Sequence, residues 1–183
     1  MTNASLRLLV LAGVLVLIVA ALTGANRAAA AEQRVGLLEE IDQLRLETWN
    51  WQELMRIPRT PTNYHERVAG DAYRRWIRDL WRVRADRAEA RAQDPPNEQA
   101  WRCIQRHEAS RAGGWEAATG NGYFGGLQMS MTFQQVLAPE LLRRKGTADR
   151  WTAVEQMWVA ERALRRGYGF TPWPNTARRC GLL

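Results

Sequence analysis

Thr119-Gly-Asn-Gly-Tyr-Phe-Gly-Gly-Leu-Gln128 is the stretch of sequence that decides the fold, and it follows Glu108 and Trp115. Upstream, Trp101, Ile104 and Glu108 are spaced by three and four residues, which places them on one face of a helix. The sequence therefore predicts a carboxylate at the end of an apolar helix, facing a glycine-rich segment of aromatic rings and amides.

The position of Glu108 favours its protonated form. A carboxylate near a helix C-terminus faces the negative end of the helix dipole, and neighbouring Trp rings would desolvate it. An acid that keeps its proton near neutral pH is what protonation of a glycosidic oxygen requires. On spacing alone, the alternative is an ordinary solvated helix carboxylate.

A second carboxylate is missing from the segment expected to face Glu108. Glycoside hydrolysis usually uses two carboxylates that flank the bond. Residues 117–139 contain no Asp or Glu, and the next acidic residues after Glu108 are Glu116, Glu140, Asp149 and Glu155. We therefore expect a mechanism with a single acid, in which a hydroxyl of the substrate itself attacks the anomeric carbon.

The polar and aromatic side chains around the gap suit a carbohydrate. Asn121, Tyr123 and Gln128 could hydrogen-bond sugar hydroxyls and N-acetyl groups, and Trp115 and Trp173 could stack on sugar faces. For each aromatic residue, core packing is the alternative.

The glycines of the block match a dinucleotide-binding loop only superficially. Gly120, Gly122 and Gly125 have that spacing, but no strand precedes them and no βαβ pattern follows. We expect instead that the glycines let a polymer approach the backbone and allow positive φ at Asn121 or Gly122.

The N-terminus has the pattern of an export segment. Residues 8–26 are uncharged and mostly aliphatic, between Arg7 and Arg27. As a helix they would span about 28 Å, close to a bilayer core. Residues 1–31 are either a signal peptide cleaved near Ala28-Ala29-Ala30 or an uncleaved membrane anchor. Both interpretations place the rest of the chain outside the cytoplasm, secreted to the cell wall or anchored to the membrane.

The net charge of the chain indicates which classes of partner it favours. The net charge is +7 and the pI is about 10.4, which favours polyanionic surroundings such as an acidic wall or anionic lipids. No nucleic-acid motif or long basic run is present, so nucleic acid is not an expected partner.

In an exported protein, Cys103 and Cys180 are expected to form a disulfide, worth about 4–5 kcal/mol by the chain-entropy model. With His65 and His107 as the only histidines, neither a structural zinc site nor a cofactor is expected.

Residues 32–93 are predicted to form a helical hairpin or stalk. The first helix has an apolar face, residues 56–62 with two prolines interrupt it, and the second helix is expected from near Asn63. The Trp residues of this hairpin either pack in its core or form a surface that contacts the membrane interface or the cell wall. The apolar positions are Leu37, Ile41, Leu44, Thr48, Trp51 and Met55, then Tyr73, Trp76, Ile77, Leu80 and Trp81.

A third region is predicted over residues 97–183, after the boundary at residues 93–97. Asn97 is a candidate N-cap for a helix ending near Ala109, and Gly113-Gly114 follows its end. Residues 115–128 are expected to be irregular or a short hairpin. Helices over residues 129–144 and 148–165 and a tail to Cys180 complete a mostly helical domain.

At these residues the chain resembles the resuscitation-promoting-factor and transglycosylase-like family of actinobacterial wall enzymes. The resemblance extends over residues 101–180, and the block ending at Gln128 is its most specific part. The residues that carry it are Trp101, Glu108, Trp115, the Thr119–Gln128 block, Thr132, Glu155-Gln156, Ala160-Glu161-Arg162 and Trp173-Pro174.

The resemblance implies a fold, a substrate and a set of site residues. It implies a mainly α fold (α+β, lysozyme-like), a disulfide, and cleavage of the glycan strand of peptidoglycan. The family's catalytic Glu corresponds to Glu108. The implied glycan-binding positions are Trp115, Thr119, Asn121, Tyr123, Gly125, Gly126, Gln128 and Trp173.

The chain departs from the family pattern at both cysteines. The family places a Cys directly before the Glu, where this chain has His107, and another one residue after Trp-Pro, whereas Cys180 comes five residues after that intervening residue. Cys103 lies one helical turn before the first of these positions, and Cys180 also lies beyond the second, so both half-cystines are displaced together. The Glu-to-Trp spacing is also longer here.

The sequence thus predicts an exported peptidoglycan lytic transglycosylase with Glu108 as its single acid and base. On the muramic residue, the C6 hydroxyl would attack the anomeric carbon and give a 1,6-anhydro product. A hydrolytic outcome, with water in place of that hydroxyl, is open. Two alternatives are a non-catalytic peptidoglycan-binding envelope module and an envelope scaffold whose helical hairpin recruits a protein partner.

Overall fold

The computed structural model describes residues 3–62 and 64–183, with side chains from Ala29 onward. The described chain is 64% helix and 3% strand, which confirms the mainly α prediction. Its helices and strands are α1 (Asn3–Met55), α2 (Asp71–Ala92), α3 (Glu98–Glu108), β1 (Tyr123–Phe124), β2 (Met129–Ser130), α4 (Met131–Leu137), α5 (Pro139–Lys145), α6 (Ala153–Arg165) and α7 (Pro174–Arg179), with 3-10 turns at Gly114–Glu116 and Ala148–Arg150.

The predicted export segment falls on the first part of α1. The side chains of residues 8–26 lie outside the described residues, so the choice between signal peptide and anchor stays a prediction. Where side chains are described, no helix has the length and apolar character needed to cross a membrane.

The chain divides into two compact units, and the first comprises Met1–Leu46 and Thr62–Val83. Leu37 and Ile41 from α1 and Ile77 and Trp81 from α2 are buried in it. This confirms the apolar faces predicted for both helices. Trp76 departs from the pattern, because 53% of its surface is exposed.

Within this unit, α1 and α2 run parallel, so the predicted helical hairpin is wrong. Arg34 lies 3.8 Å from Asp71, and Glu40 lies 3.9 Å from Arg78. The paired positions therefore advance in the same direction along both helices, whereas in a hairpin they would run in opposite directions.

The second helix begins at Asp71, eight residues later than predicted, because Arg74 binds the preceding segment in a non-helical form. Its buried guanidinium donates to the carbonyl oxygens of Glu66 at 2.8 Å and Arg67 at 3.2 Å, and to the Asp71 carboxylate at 2.6 Å. Glu66 also forms an ion pair with Arg45 of α1, which keeps this segment alongside the first helix.

The second unit comprises Glu47–Pro61 and Arg84–Leu183. The predicted boundary at residues 93–97 therefore does not separate the compact units. Leu54, Met55 and Ala92 belong to the same buried cluster as Trp101 and Ile104. A fragment limited to residues 97–183 would lack this part of the core.

Arg162 of α6 joins the end of α1 to the rest of the second unit. Its guanidinium donates to the carbonyl oxygens of Leu54 at 2.9 Å and Leu137 at 2.6 Å, and it pairs with Glu140. Burial lowers the pKa of Arg162, and the Glu140 carboxylate opposes that shift. Arg162 thereby satisfies carbonyls that helix ends leave unpaired.

The elements around the predicted site follow the sequence closely. The two strands pair antiparallel, with Tyr123 opposite Ser130 and Phe124 opposite Met129, which confirms a short hairpin. The helix predicted over residues 129–144 is divided at Ala138, since Pro139 begins a new helix.

Asn97 has a different role from the one predicted. It occupies the N-cap position of α3, but its side chain makes no capping hydrogen bond. Its amide nitrogen donates to the Glu161 carboxylate at 3.0 Å, and the Trp101 indole donates to the same carboxylate at 2.6 Å. The buried Glu161 thus fixes the start of the helix that ends at Glu108.

Candidate active site

Glu108 is the last residue of α3, as the spacing predicted, and its side chain is half-buried. The inner face of α3 is anchored by Trp101 and Ile104, whose side chains are fully buried. The hydroxyl of Thr176, on α7, donates to Oε1 of Glu108 at 2.8 Å. Sequence reasoning missed this partner of the acid.

The disulfide predicted between Cys103 and Cys180 is present and connects α3 to the residue after α7. His107 is exposed, and a ring nitrogen lies within 4.8 Å of both sulfur atoms. Because the two sulfur atoms are bonded to each other, neither offers a thiolate to a metal here.

Two of the acids that could have served as a second carboxylate are engaged elsewhere. Glu140 pairs with Arg162 and with Arg56. Glu155 binds Lys145 at 2.7 Å and closes the capping box of α6 with Thr152. Both side chains are buried in these contacts and are held by cations.

The first half of the Thr119–Gln128 block is exposed. Thr119, Asn121 and Tyr123 are all accessible to solvent, with 48% of Tyr123 exposed. The Asn121 side-chain oxygen accepts from the backbone N–H of Tyr123 at 3.0 Å, which shapes the turn before β1. Gly122 has φ of 85°, as expected for this turn.

The second half of the block is buried against the protein. A Cβ at Gly125 would lie 2.4 Å from Oε1 of Gln156, and one at Gly126 would lie 2.7 Å from the Trp115 ring. The prediction that these glycines admit a polymer is therefore wrong for Gly125 and Gly126. They permit close packing of the block on its own domain.

Gln128 also has a local structural role. It has φ of 49°, and its amide nitrogen donates to the Gly125 carbonyl at 2.8 Å. One of the two hydrogen-bonding ends of this side chain is thus used to close the turn between the strands.

Gln156 is the buried residue that connects these segments. Its amide nitrogen lies within hydrogen-bonding distance of the carbonyl oxygens of Trp115, Ala148 and Trp151, at 2.7, 2.9 and 3.1 Å. Its side-chain oxygen accepts from the backbone N–H of Leu127. The family resemblance includes Gln156 and so marked it in the sequence. Its hydrogen bonds to these segments depend on the tertiary fold and could not be predicted.

The two tryptophans predicted to stack on sugars differ in position. Trp173 is 4% exposed, its ring packs against Trp101 and Phe133, and its indole donates to the Leu127 carbonyl at 2.6 Å. The stacking role predicted for Trp173 is wrong, because the residue is buried and leaves almost no ring surface accessible to a sugar. Trp115 is partly buried and keeps some accessible surface.

A cavity of about 690 Å³ lies beside the disulfide and not at the block. It is lined by residues 94–100, Cys103, Arg106, Cys180 and Leu182. Neither Glu108 nor any residue of the Thr119–Gln128 block contributes to it, so it is separate from the candidate active site.

Residues 95–176 match a family model described as Transglycosylase-like domain. The C-terminal part of the chain is therefore a transglycosylase-like domain, which confirms the family resemblance. The match indicates a glycosidase kind of enzyme that acts on peptidoglycan. No curated protein significantly matches the chain.

Proposed function

We propose that this protein cleaves the β-1,4 glycan strand of peptidoglycan with Glu108 as its only general acid and base. Glu108 donates a proton to the glycosidic oxygen as the bond from that oxygen to the anomeric carbon breaks. Its carboxylate then takes the proton of the muramic C6 hydroxyl, whose oxygen bonds to the anomeric carbon. The acid is regenerated, and the product ends in a 1,6-anhydro ring.

The observation that carries this proposal is the half-buried carboxylate of Glu108 at the end of a rigidly anchored helix. The residue lies inside the segment that matches the transglycosylase-like family. Glu140 and Glu155 are held in their own ion pairs, which supports a mechanism with one carboxylate. With a single acid, the group that attacks the anomeric carbon is either a hydroxyl of the substrate or a water molecule.

The exposed half of the block supports the proposed binding surface. Thr119, Asn121 and Tyr123 offer a hydroxyl, an amide and an aromatic ring that remain accessible. Trp115 and the accessible part of Gln128 would extend this surface. We assign these five residues to glycan contact and leave Gly125, Gly126 and Trp173 to the supporting structure.

Digestion of purified peptidoglycan, with mass spectrometry of the products, tests the reaction. We expect anhydro-muropeptides from the wild-type protein and a loss of at least about a thousandfold in rate for Glu108→Gln, because the amide cannot transfer the proton. Glu116→Gln is the matched control, since it removes an exposed carboxylate near in sequence and should leave the products unchanged.

The products distinguish the alternatives. Reducing ends in place of anhydro ends would replace transglycosylation with hydrolysis. Loss of activity in Glu116→Gln as well as in Glu108→Gln would contradict the single-acid mechanism. Sedimentation with wall material, without any product from the wild-type protein, would replace the enzyme with a wall-binding module.

We also propose that the protein acts outside the cytoplasm, because residues 8–26 have the composition of an export segment. N-terminal sequencing of the protein from the envelope and the culture medium would show whether residues 1–31 are removed. The exposed Trp76 supports a contact of the first unit with the envelope or with a protein partner.

A further inference from the structure

We propose that Thr176 is a positioning residue that binds Oε1 of Glu108 and thereby leaves Oε2 to carry the transferred proton. This inference rests on the proposed function and assigns different roles to the two carboxylate oxygens. Thr176 itself is not proposed to touch the substrate.

The hydrogen bond is well defined by the surroundings of Thr176. The residue is 7% exposed, so water has little access to compete for its hydroxyl. Its oxygen lies 2.8 Å from Oε1 of Glu108 and 3.3 Å from the backbone carbonyl of Trp173. A hydroxyl has one proton to donate, and the shorter distance favours the carboxylate as its acceptor.

A hydroxyl donor to Oε1 suits both protonation states of the acid. When Glu108 is ionised, both oxygens accept hydrogen bonds. When the proton is on Oε2, Oε1 is a carbonyl oxygen and still accepts from Thr176. The same contact therefore persists while Glu108 first donates and then accepts a proton, and the carboxyl group does not rotate between the two steps.

The helices hold both partners at a fixed separation. Glu108 ends α3, Thr176 lies within α7, and the Cys103–Cys180 disulfide connects α3 to the residue that follows α7. Trp173, at the start of α7, packs edge-on against Trp101 of α3 with ring centroids 5.2 Å apart. The hydroxyl is thus part of a rigid structure and does not depend on a mobile loop.

Thr176→Val and Thr176→Ser test the inference in the full-length protein with purified peptidoglycan as substrate. Val has nearly the shape of Thr but no hydroxyl, so we expect kcat to fall about ten- to hundredfold, as for loss of a hydrogen bond to a charged group. KM should stay within about twofold, because substrate contacts are unchanged. Ser retains the hydroxyl and should restore kcat to within about threefold of wild type.

Thr171→Val is the matched control. Its hydroxyl donates to the Tyr168 carbonyl in the same C-terminal segment, has no contact with Glu108, and should leave kcat unchanged. Thermal unfolding of each variant shows whether it is folded. If Thr176→Val does not fold, Thr176→Ala is measured in its place with the same expected loss of kcat.

The results separate this inference from the proposed function. Equal kcat for Thr176→Val and wild type, or failure of Thr176→Ser to restore activity, would overturn the role of the hydroxyl alone. A rise in KM without a fall in kcat would place Thr176 in substrate binding. Absence of products from the wild-type protein would overturn both proposals.

Discussion

Each half of the Thr119–Gln128 block contains two glycines and one aromatic ring, but the two halves have opposite environments. The half with Gly120 and Gly122 is exposed, and a Cβ at either glycine would meet no atom within 4 Å. The half with Gly125 and Gly126 is buried, and a Cβ there would collide with the Gln156 side chain or the Trp115 ring.

The difference shows that one motif can contain both residues available to a ligand and residues that hold the motif against its domain. Exposed polar and aromatic groups remain available for a ligand, whereas a buried glycine is required by the atoms packed on it. A glycine-rich motif therefore does not by itself mark where a polymer approaches the backbone. In this protein the buried half fixes the position of the exposed half relative to the domain.

The sharpest test of the comparison is Gly125→Ala against Gly122→Ala. Gly125→Ala should destabilise the protein by roughly 3 kcal/mol, because the added methyl group overlaps Gln156 and the backbone at Ala148. Gly122→Ala has the same unfavourable positive φ but free space, so about 1 kcal/mol is expected. Chemical denaturation measures both. Equal losses would show that conformation, and not packing, explains both glycines.

Gln156→Met should have the next largest effect, about 2–3 kcal/mol, because buried carbonyl oxygens would lose their donor. Met keeps the length of the side chain and removes only its hydrogen bonds. Denaturation of the purified variant gives the free energy of unfolding, and Gln135→Met, at an exposed position, is the control. A loss no larger than in the control would contradict the clamping role of Gln156.

Tyr123→Ala should have the smallest effect on stability, below about 0.5 kcal/mol, because about half of its surface is exposed. If the exposed half binds glycan, KM for peptidoglycan should nevertheless rise severalfold. Tyr168→Ala removes another exposed tyrosine outside the block and is the control. A stable variant with unchanged KM would show that Tyr123 lies outside the binding surface.

Local patterns predicted the elements near the site well. The spacing of Trp101, Ile104 and Glu108 predicted α3, and the glycine-rich block predicted either an irregular segment or a short hairpin, of which the hairpin is present. The disulfide followed from two cysteines in a chain that the sequence predicts to be exported. The helix and the hairpin depend on residues that are close in sequence, and two cysteines allow only one intramolecular disulfide.

Features that depend on distant contacts were predicted less well. The apolar faces of α1 and α2 were correct, but periodicity carries no information about whether two helices run parallel or antiparallel. The contribution of Leu54 and Met55 to the second unit also could not be read from their spacing. In the sequence, Trp173 cannot be distinguished from a tryptophan that stacks on a sugar. Only its packing against Trp101 and Phe133 shows that it is part of the core.

The sequence by itself determined the helical class, the family of the C-terminal part and the candidate acid, because periodicity, motif order and residue chemistry are local properties. The tertiary structure alone decided which half of the block faces solvent, how α1 and α2 pair, and which hydroxyl lies beside Glu108. Thr176 is 68 residues from Glu108 in the chain, and the contact forms only when α3 and α7 pack together.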